Sequence, residues 1–234
     1  MNQNQKKKVV QNLSEVQKRV QNLSVNKTMQ PRLLIVSKKQ CVTVMRLIYN
    51  CGMRHFAENR VQELIEKIPK LPQDICWHYI GKLQSNKLRK IAQHSNWLHT
   101  LSSIKYASQL QKYCLEYDKK MQICIQINVD LEKQKSGILI TQPDEINILI
   151  NHIVKNCPNL VLRGLMCMLK ASDDYQIQLK SFTQLVTLKT IINQEFNLNM
   201  DQISMGMSGD MQAAITAGST MLRVGTAIFG MHQT

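Results

Sequence analysis

Lys38 ends a continuously apolar run, Arg32-Leu33-Leu34-Ile35-Val36-Ser37-Lys38, and so stands where a buried strand meets solvent. A lysine there is either an ordinary solvated charge or an amine held in a partly desolvated pocket, where it can form a Schiff base. A second group of chemically useful residues lies near the other end of the sequence. Apolar runs over 202–205 and 221–224 break into Ser204-Met205-Gly206-Met207-Ser208-Gly209 and Arg223-Val224-Gly225-Thr226. Glycines bare backbone N–H groups, and Ser and Thr add hydroxyl donors. Together they suit a phosphate.

The elements that must position these residues follow from periodicity. Apolar residues Val9, Val10, Leu13, Val16, Val20 and Leu23 recur at three- and four-residue spacing and predict an amphipathic helix over 7–23, closed by Asn26 and Pro31. Apolar runs predict strands over 32–38, 52–59, 75–81, 96–101, 122–129, 160–166, 202–205 and 221–224. Helices are expected over 42–50, 61–68, to about 92, and over 103–117, 143–154, 175–196 and 210–217, with a polar loop over 132–138. Eight strands alternating with helices predict a single (β/α)8 TIM-type barrel spanning 1–234, with an extra N-terminal helix and lead-in over 1–30. A doubly wound open sheet would ordinarily show Gly-x-Gly-x-x-Gly after strand one, where this chain has Ser37-Lys38-Lys39-Gln40.

In a closed barrel, strand one neighbours strand eight, and the active face lies at the C-terminal strand ends, with phosphate commonly bound after strands seven and eight. Ser204 or Ser208 can then donate hydroxyls, and Gly225 and Thr226 backbone N–H groups, to an anion at the start of the last helix. Lys38 enters the same mouth. A phosphate cradle, a strand-end lysine and Arg223 between them point to pyridoxal 5′-phosphate, with Lys38 forming the Schiff base and Arg223 facing the ring. A permanently charged arginine at the pyridine nitrogen disfavours its protonation and weakens the ring as an electron sink.

Composition narrows the remaining classes. The aromatic share of 5 % favours an aliphatic α/β core over an antiparallel sandwich. The net charge of +14 and pI near 9.6 invite a nucleic-acid reading. Yet the charge is scattered and lacks interleaved aromatics, so nucleic acid is not the expected partner. Seven cysteines without a Cys-x-x-Cys pair point to a reducing, cytoplasmic setting, and no run is long enough to span a membrane. No metal site is expected, because the six histidines are dispersed and none pairs with Cys or Glu at helical or knuckle spacing.

Seven ordered blocks then carry a resemblance. They are Ile35-Val36-Ser37-Lys38, Phe56-Ala57-Glu58-Asn59-Arg60-Val61-Gln62-Glu63, the stretch from Trp77 to Lys87, Lys135-Ser136-Gly137, Arg163-Gly164-Leu165-Met166, Ser204-Met205-Gly206-Met207-Ser208, and the stretch from Arg223 to Gly230. Across about 8–230 the chain resembles the pyridoxal phosphate homeostasis proteins, the YggS/PROSC family. The resemblance implies a barrel like the N-terminal domain of bacterial alanine racemase, with the cofactor on Lys38 and a part in vitamin B6 and amino-acid balance rather than robust turnover. It also implies Asn59 near the ring, Arg223 near its nitrogen, Met166 and Met207 beside it, and Ser204, Ser208, Gly225 and Thr226 around the phosphate. Pyridoxal-phosphate-dependent apoenzymes are the implied recipients, and a monomer is expected. The chain departs from the family's usual pattern at Ala57, where glycine is usual, at Lys82, where histidine is common, and at Lys39-Gln40-Cys41, which lacks the common Lys-Pro.

Two other readings stay open. A racemase or decarboxylase needs a second acid/base and usually a second domain to supply it, which a chain ending at Thr234 is not expected to carry. A nucleic-acid or partner-binding module would use Lys82, Lys87, Arg89 and Lys90.

Overall fold

A computed structural model of the chain describes residues 3–25, 29–132 and 136–230, and in it eight parallel strands close into a barrel. Asn26, read as a helix stop, and Lys135, part of one motif block, lie outside the described residues. In chain order the elements are α1 (Gln3–Leu23), β1 (Arg32–Val36), α2 (Val42–Asn50), β2 (His55–Glu58), α3 (Val61–Lys67), β3 (Cys76–Tyr79), α4 (Leu88–His94), β4 (Trp97–Leu101) and α5 (Ile104–Glu116). There follow β5 (Met121–Asn128), β6 (Ile138–Leu139), α6 (Pro143–Asn156), β7 (Leu160–Met166), α7 (Tyr175–Glu195), β8 (Gln202–Ser204), α8 (Met211–Ala217), β9 (Met221–Val224) and α9 (Thr226–Phe229). The barrel runs β1-β2-β3-β4-β5-β7-β8-β9, and pairing of β9 with β1 closes it.

Alternation along each strand divides the apolar residues into two bodies. Leu33 and Ile35 face the helices and join the large core between strands and helices. Leu34 faces inward with Ala57, Trp97, Cys124, Met166 and Met221, which form a smaller cluster inside the barrel. α1 lays Val9, Leu13, Val16 and Val20 against this assembly, packing on α2, α8 and α9. It starts four residues before the expected position, since Gln3, Asn4, Gln5 and Lys6 are tolerated on a solvated first turn.

Sharp polar signals open two of the helices. Ser103 accepts the Tyr106 N–H at the start of α5, and the Asp174 carboxylate accepts the Gln176 and Ile177 N–H groups at the start of α7. The one strand absent from the sequence reading is β6, in a stretch read as polar loop. It pairs with the overhanging end of β5, Ile127 opposite Ile138, and buries Ile138. Two amides tie down the same loop, Gln126 Nε2 donating to Ser136 O at 3.0 Å and Asn128 Nδ2 to Glu132 O at 2.8 Å. Among the described residues, no helix is long and apolar enough to cross a membrane.

Candidate functional site

The C-terminal strand ends open into a cavity of about 1450 Å³. Lys38, Asn59, Met207, Ser208, Arg223, Gly225 and Thr226 line it. Met166 and Ser204, expected at the ligand, do not. Both point into the barrel interior one layer down and are wholly buried, while Met168 takes a place on the wall. Arg60, Lys82, Lys87 and Lys90 complete a cationic rim, and none of the described lining residues is acidic. The cluster Lys82, Lys87, Arg89 and Lys90 is thereby divided, because Arg89 turns away to bond Glu116 and the Tyr117 hydroxyl.

Two glycines allow the walls to close. Gly206 turns the chain after β8 at φ +93°, a conformation that side chains with a Cβ rarely adopt. Gly81 lies so close to Asn59 that a Cβ would come within 2.1 Å of its carbonyl oxygen, and Thr100 Oγ1 donates to the Gly81 carbonyl at 2.7 Å. Ser208 is fixed where its Oγ accepts the Ala227 N–H at 3.2 Å, which joins the loop after β8 to α9.

Lys38 is exposed at the mouth, and its neighbours are gripped from beneath. Lys67 Nζ donates to the Ser37 carbonyl at 2.9 Å, to Glu58 Oε1 at 2.7 Å and to Glu63 Oε2 at 2.7 Å. Ser37 Oγ donates to Glu58 Oε1 at 2.6 Å, and the Lys39 N–H to Glu63 Oε2 at 2.6 Å. Burial raises the Glu58 carboxyl above its ordinary value against the pull of Lys67, whereas bonds from Lys67 and Lys39 outweigh burial and lower Glu63. Sequence reasoning passed over this cluster, because Glu63 and Lys67 four apart on a helix look like a solvated surface pair.

Arg223 is 3 % exposed and reaches the cavity from within the barrel. Its Nη1 donates to Ser204 Oγ and its Nη2 to the Cys167 carbonyl, each at 2.8 Å. Burial lowers its affinity for its proton, though a guanidinium remains charged. Behind Ser204 lies a row of rings. His99 Nδ1 is 2.8 Å from Ser204 Oγ, His78 Nδ1 is 2.9 Å from His99 Nε2, and His55 Nδ1 is 3.0 Å from His78 Nε2. Since the guanidinium can only donate, Ser204 can pass its own hydroxyl proton to His99 Nδ1, and each imidazole then donates from Nε2 to the next. Three of the six histidines dispersed in sequence are therefore adjacent in space, which corrects the premise on which a metal site was set aside.

Burial holds these rings neutral. It depresses His55 to about 4, His99 to about 3 and His78 well below the usual imidazole range. An unfolded chain binds protons that the fold excludes, so stability present above about pH 6.5 is lost as pH falls toward 4. Denaturant unfolding should show a loss on the order of a few kcal/mol across that window, reduced in His99→Asn. A stability that stays flat from pH 6.5 to 4.5 would contradict the neutral row.

The fold and this mouth define a barrel of the alanine racemase N-terminal type, and the family model described as alanine racemase, N-terminal domain, matches residues 9–233. Curated relatives are more specific. A pyridoxal phosphate homeostasis protein of Vibrio alginolyticus is 43 % identical over 204 residues, covering 85 % of each chain. One from Pasteurella multocida is 41 % identical over 230 residues, covering 95 % of this chain and 97 % of that one. The chain belongs to the pyridoxal phosphate homeostasis protein family. Among solved structures, PipY of Synechococcus elongatus PCC7942 with PLP bound superposes with a TM-score of 0.81 at 30 % identity, covering 95 % of this chain and all of PipY. An alanine racemase of Clostridium difficile 630 shares the fold at 13 % identity and TM-score 0.77, with this chain spanning 58 % of its length.

Proposed function

We propose that the chain binds pyridoxal 5′-phosphate at the C-terminal mouth of the barrel, held as a Schiff base on Lys38, and serves intracellular vitamin B6 and amino-acid homeostasis. The observation that carries this reading is the convergence of Lys38, Ser208, Gly225, Thr226 and Arg223 on one cationic cavity. The cofactor supplies an aldehyde that condenses with an amine, and an anionic phosphate. Ser208, Gly225 and Thr226 would hold the phosphate, Asn59 and Met207 would flank the ring, and Arg223 would act at its nitrogen. Ser204 acts one layer below by fixing the guanidinium, and Met166 fills the barrel beneath the ring. The family's name and the PLP in PipY support the same ligand.

No residue is assigned to catalysis. A racemase or decarboxylase would need an acid/base poised over the substrate carbon. The phenol on the wall, Tyr79, is raised above its ordinary value by burial and directs its hydroxyl at the Asn59 and Lys82 carbonyls, each 3.4 Å away. We place the protein in the cytoplasm as a monomer, its seven thiols free, and take pyridoxal-phosphate-dependent apoenzymes as recipients of the cofactor.

Titrating the protein with pyridoxal phosphate should saturate a visible absorption band at one equivalent. The loaded protein should exchange D- and L-amino acids far below ordinary enzyme rates, which lie at about 1–1000 per second. Absence of the band would refute cofactor binding, and turnover in that range would restore the racemase reading.

A further inference from the structure

We propose that His55, Cys76 and His78 form a zinc-class metal site on the floor of the barrel, at the end opposite the cavity. His55 on β2 is the register partner of Cys76 on β3. His78 stands two residues further along β3 and therefore on the same face. One ligand atom from each, two imidazole nitrogens and a thiol sulfur, lies within 4.8 Å of the others. One ion spans that spread after small side-chain rotations, at about 2.0 Å to nitrogen and about 2.3 Å to sulfur.

Burial grades the site from inside to outside. His78 is wholly buried, whereas His55 and Cys76 are half-buried, so an ion enters from the floor and keeps a fourth, water-filled position on the open side. Imidazole and thiolate donors suit zinc or similar borderline ions rather than magnesium or calcium. Arg32 and Lys119 are the charged groups that act on Cys76, and Arg32 also acts on His55. Burial nonetheless pushes the Cys76 thiol up against the pull of both cations, so the thiolate forms only as a bound ion displaces the proton, and its negative charge then offsets part of the ion's.

The row of rings supplies what lies behind the ligands. Binding a dication forms a metal–sulfur bond and releases the Cys76 thiol proton to solvent. His78 binds through Nε2, its proton there leaving to solvent, and takes the His99 Nε2 proton onto Nδ1, which then donates back to His99 Nε2. His99 regains one proton from solvent on Nδ1, toward Ser204 Oγ, whose own hydroxyl proton turns away from the ring. Each ring keeps one proton, and the donor direction along the row reverses. A metal-bound histidine whose other nitrogen is held in this way has its tautomer and orientation fixed.

Cobalt(II) provides a spectroscopic probe that does not depend on the cofactor reading. The exposed thiols Cys41 and Cys51 are first replaced by serine to remove competing ligands. This full-length parent should bind one equivalent of cobalt with a thiolate charge-transfer band, and added zinc should displace it. Adding Cys76→Ser should remove the charge-transfer band, with circular dichroism confirming the fold. His99→Asn should keep the band but weaken affinity about 10- to 100-fold, the effect of losing an outer-shell partner. A parent without the band, or an identical band after Cys76→Ser, overturns the site.

Discussion

Replacing Lys38 by alanine should abolish both the visible band and the adduct that borohydride reduction traps with pyridoxal phosphate, and should change the stability of the cofactor-free protein by no more than about 0.5 kcal/mol. The loss is complete because a Schiff base needs a primary amine, which no neighbouring group restores at the same point. The small effect on folding follows from exposure, since the Lys38 side chain lies outside the core and its backbone is placed by bonds made at Ser37 and Lys39. Rival amines make the test informative. Lys82, Lys87 and Lys90 line the same cavity, whereas Lys39 borders only a smaller recess beside it. Mass spectrometry of the reduced wild-type protein should find the adduct on Lys38. An adduct that persists in Lys38→Ala moves the attachment to one of the others and removes Lys38 from its role.

Two adjacent lysines could not be told apart chemically by type, and the strand gave the first means of doing so. The apolar run from Arg32 announced a buried β1, and its end placed Lys38 at the mouth. β7 and β9 were legible to the residue, because a turn signal, Pro158-Asn159 before one and Gly218-Ser219 before the other, marks where each apolar run begins. The meeting of Ser208, Gly225 and Thr226 at one cavity was legible for a related reason, since each follows a strand end that the apolar runs had placed at the same rim. Contacts made across several strands were harder to see. His55, His78 and His99 are separated by 23 and 21 residues, about one strand–helix repeat each, so residues at matching places in successive units meet inside the barrel. That spacing was a usable signal, although it matches no short metal motif. β6 left less trace, since two residues are too few to show a period, and its pairing depends on how far β5 overhangs the rim.

Removing the amine beneath the mouth should be among the costliest changes to a polar residue in the protein. Lys67→Met leaves Glu58, whose side chain is 0 % exposed, without its cation, and removes the donor to the Ser37 carbonyl. Breaking a buried ion pair from one side destabilises by about 3–5 kcal/mol, since the abandoned charge has no water to replace its partner. Glu58 begins at a disadvantage, because its Oε2 is buried and has no hydrogen-bond partner. Burial already raises this carboxyl, and without Lys67 it rises further, so the variant folds with Glu58 protonated at low pH. A carboxyl raised in the fold lends stability below its unfolded value and loses it as pH rises through the folded one, so the deficit should widen with increasing pH. Adding Glu58→Gln removes the stranded charge and should recover most of the stability. It cannot restore the donor to the Ser37 carbonyl or the cation that holds Glu63 beneath Lys39, so binding of pyridoxal phosphate should stay weak in the double variant. Denaturant unfolding and a cofactor titration, run on wild type, Lys67→Met and the pair, separate the two effects. A double variant that regains stability and cofactor affinity together would show that the cluster serves folding alone and leaves Lys38 to position itself.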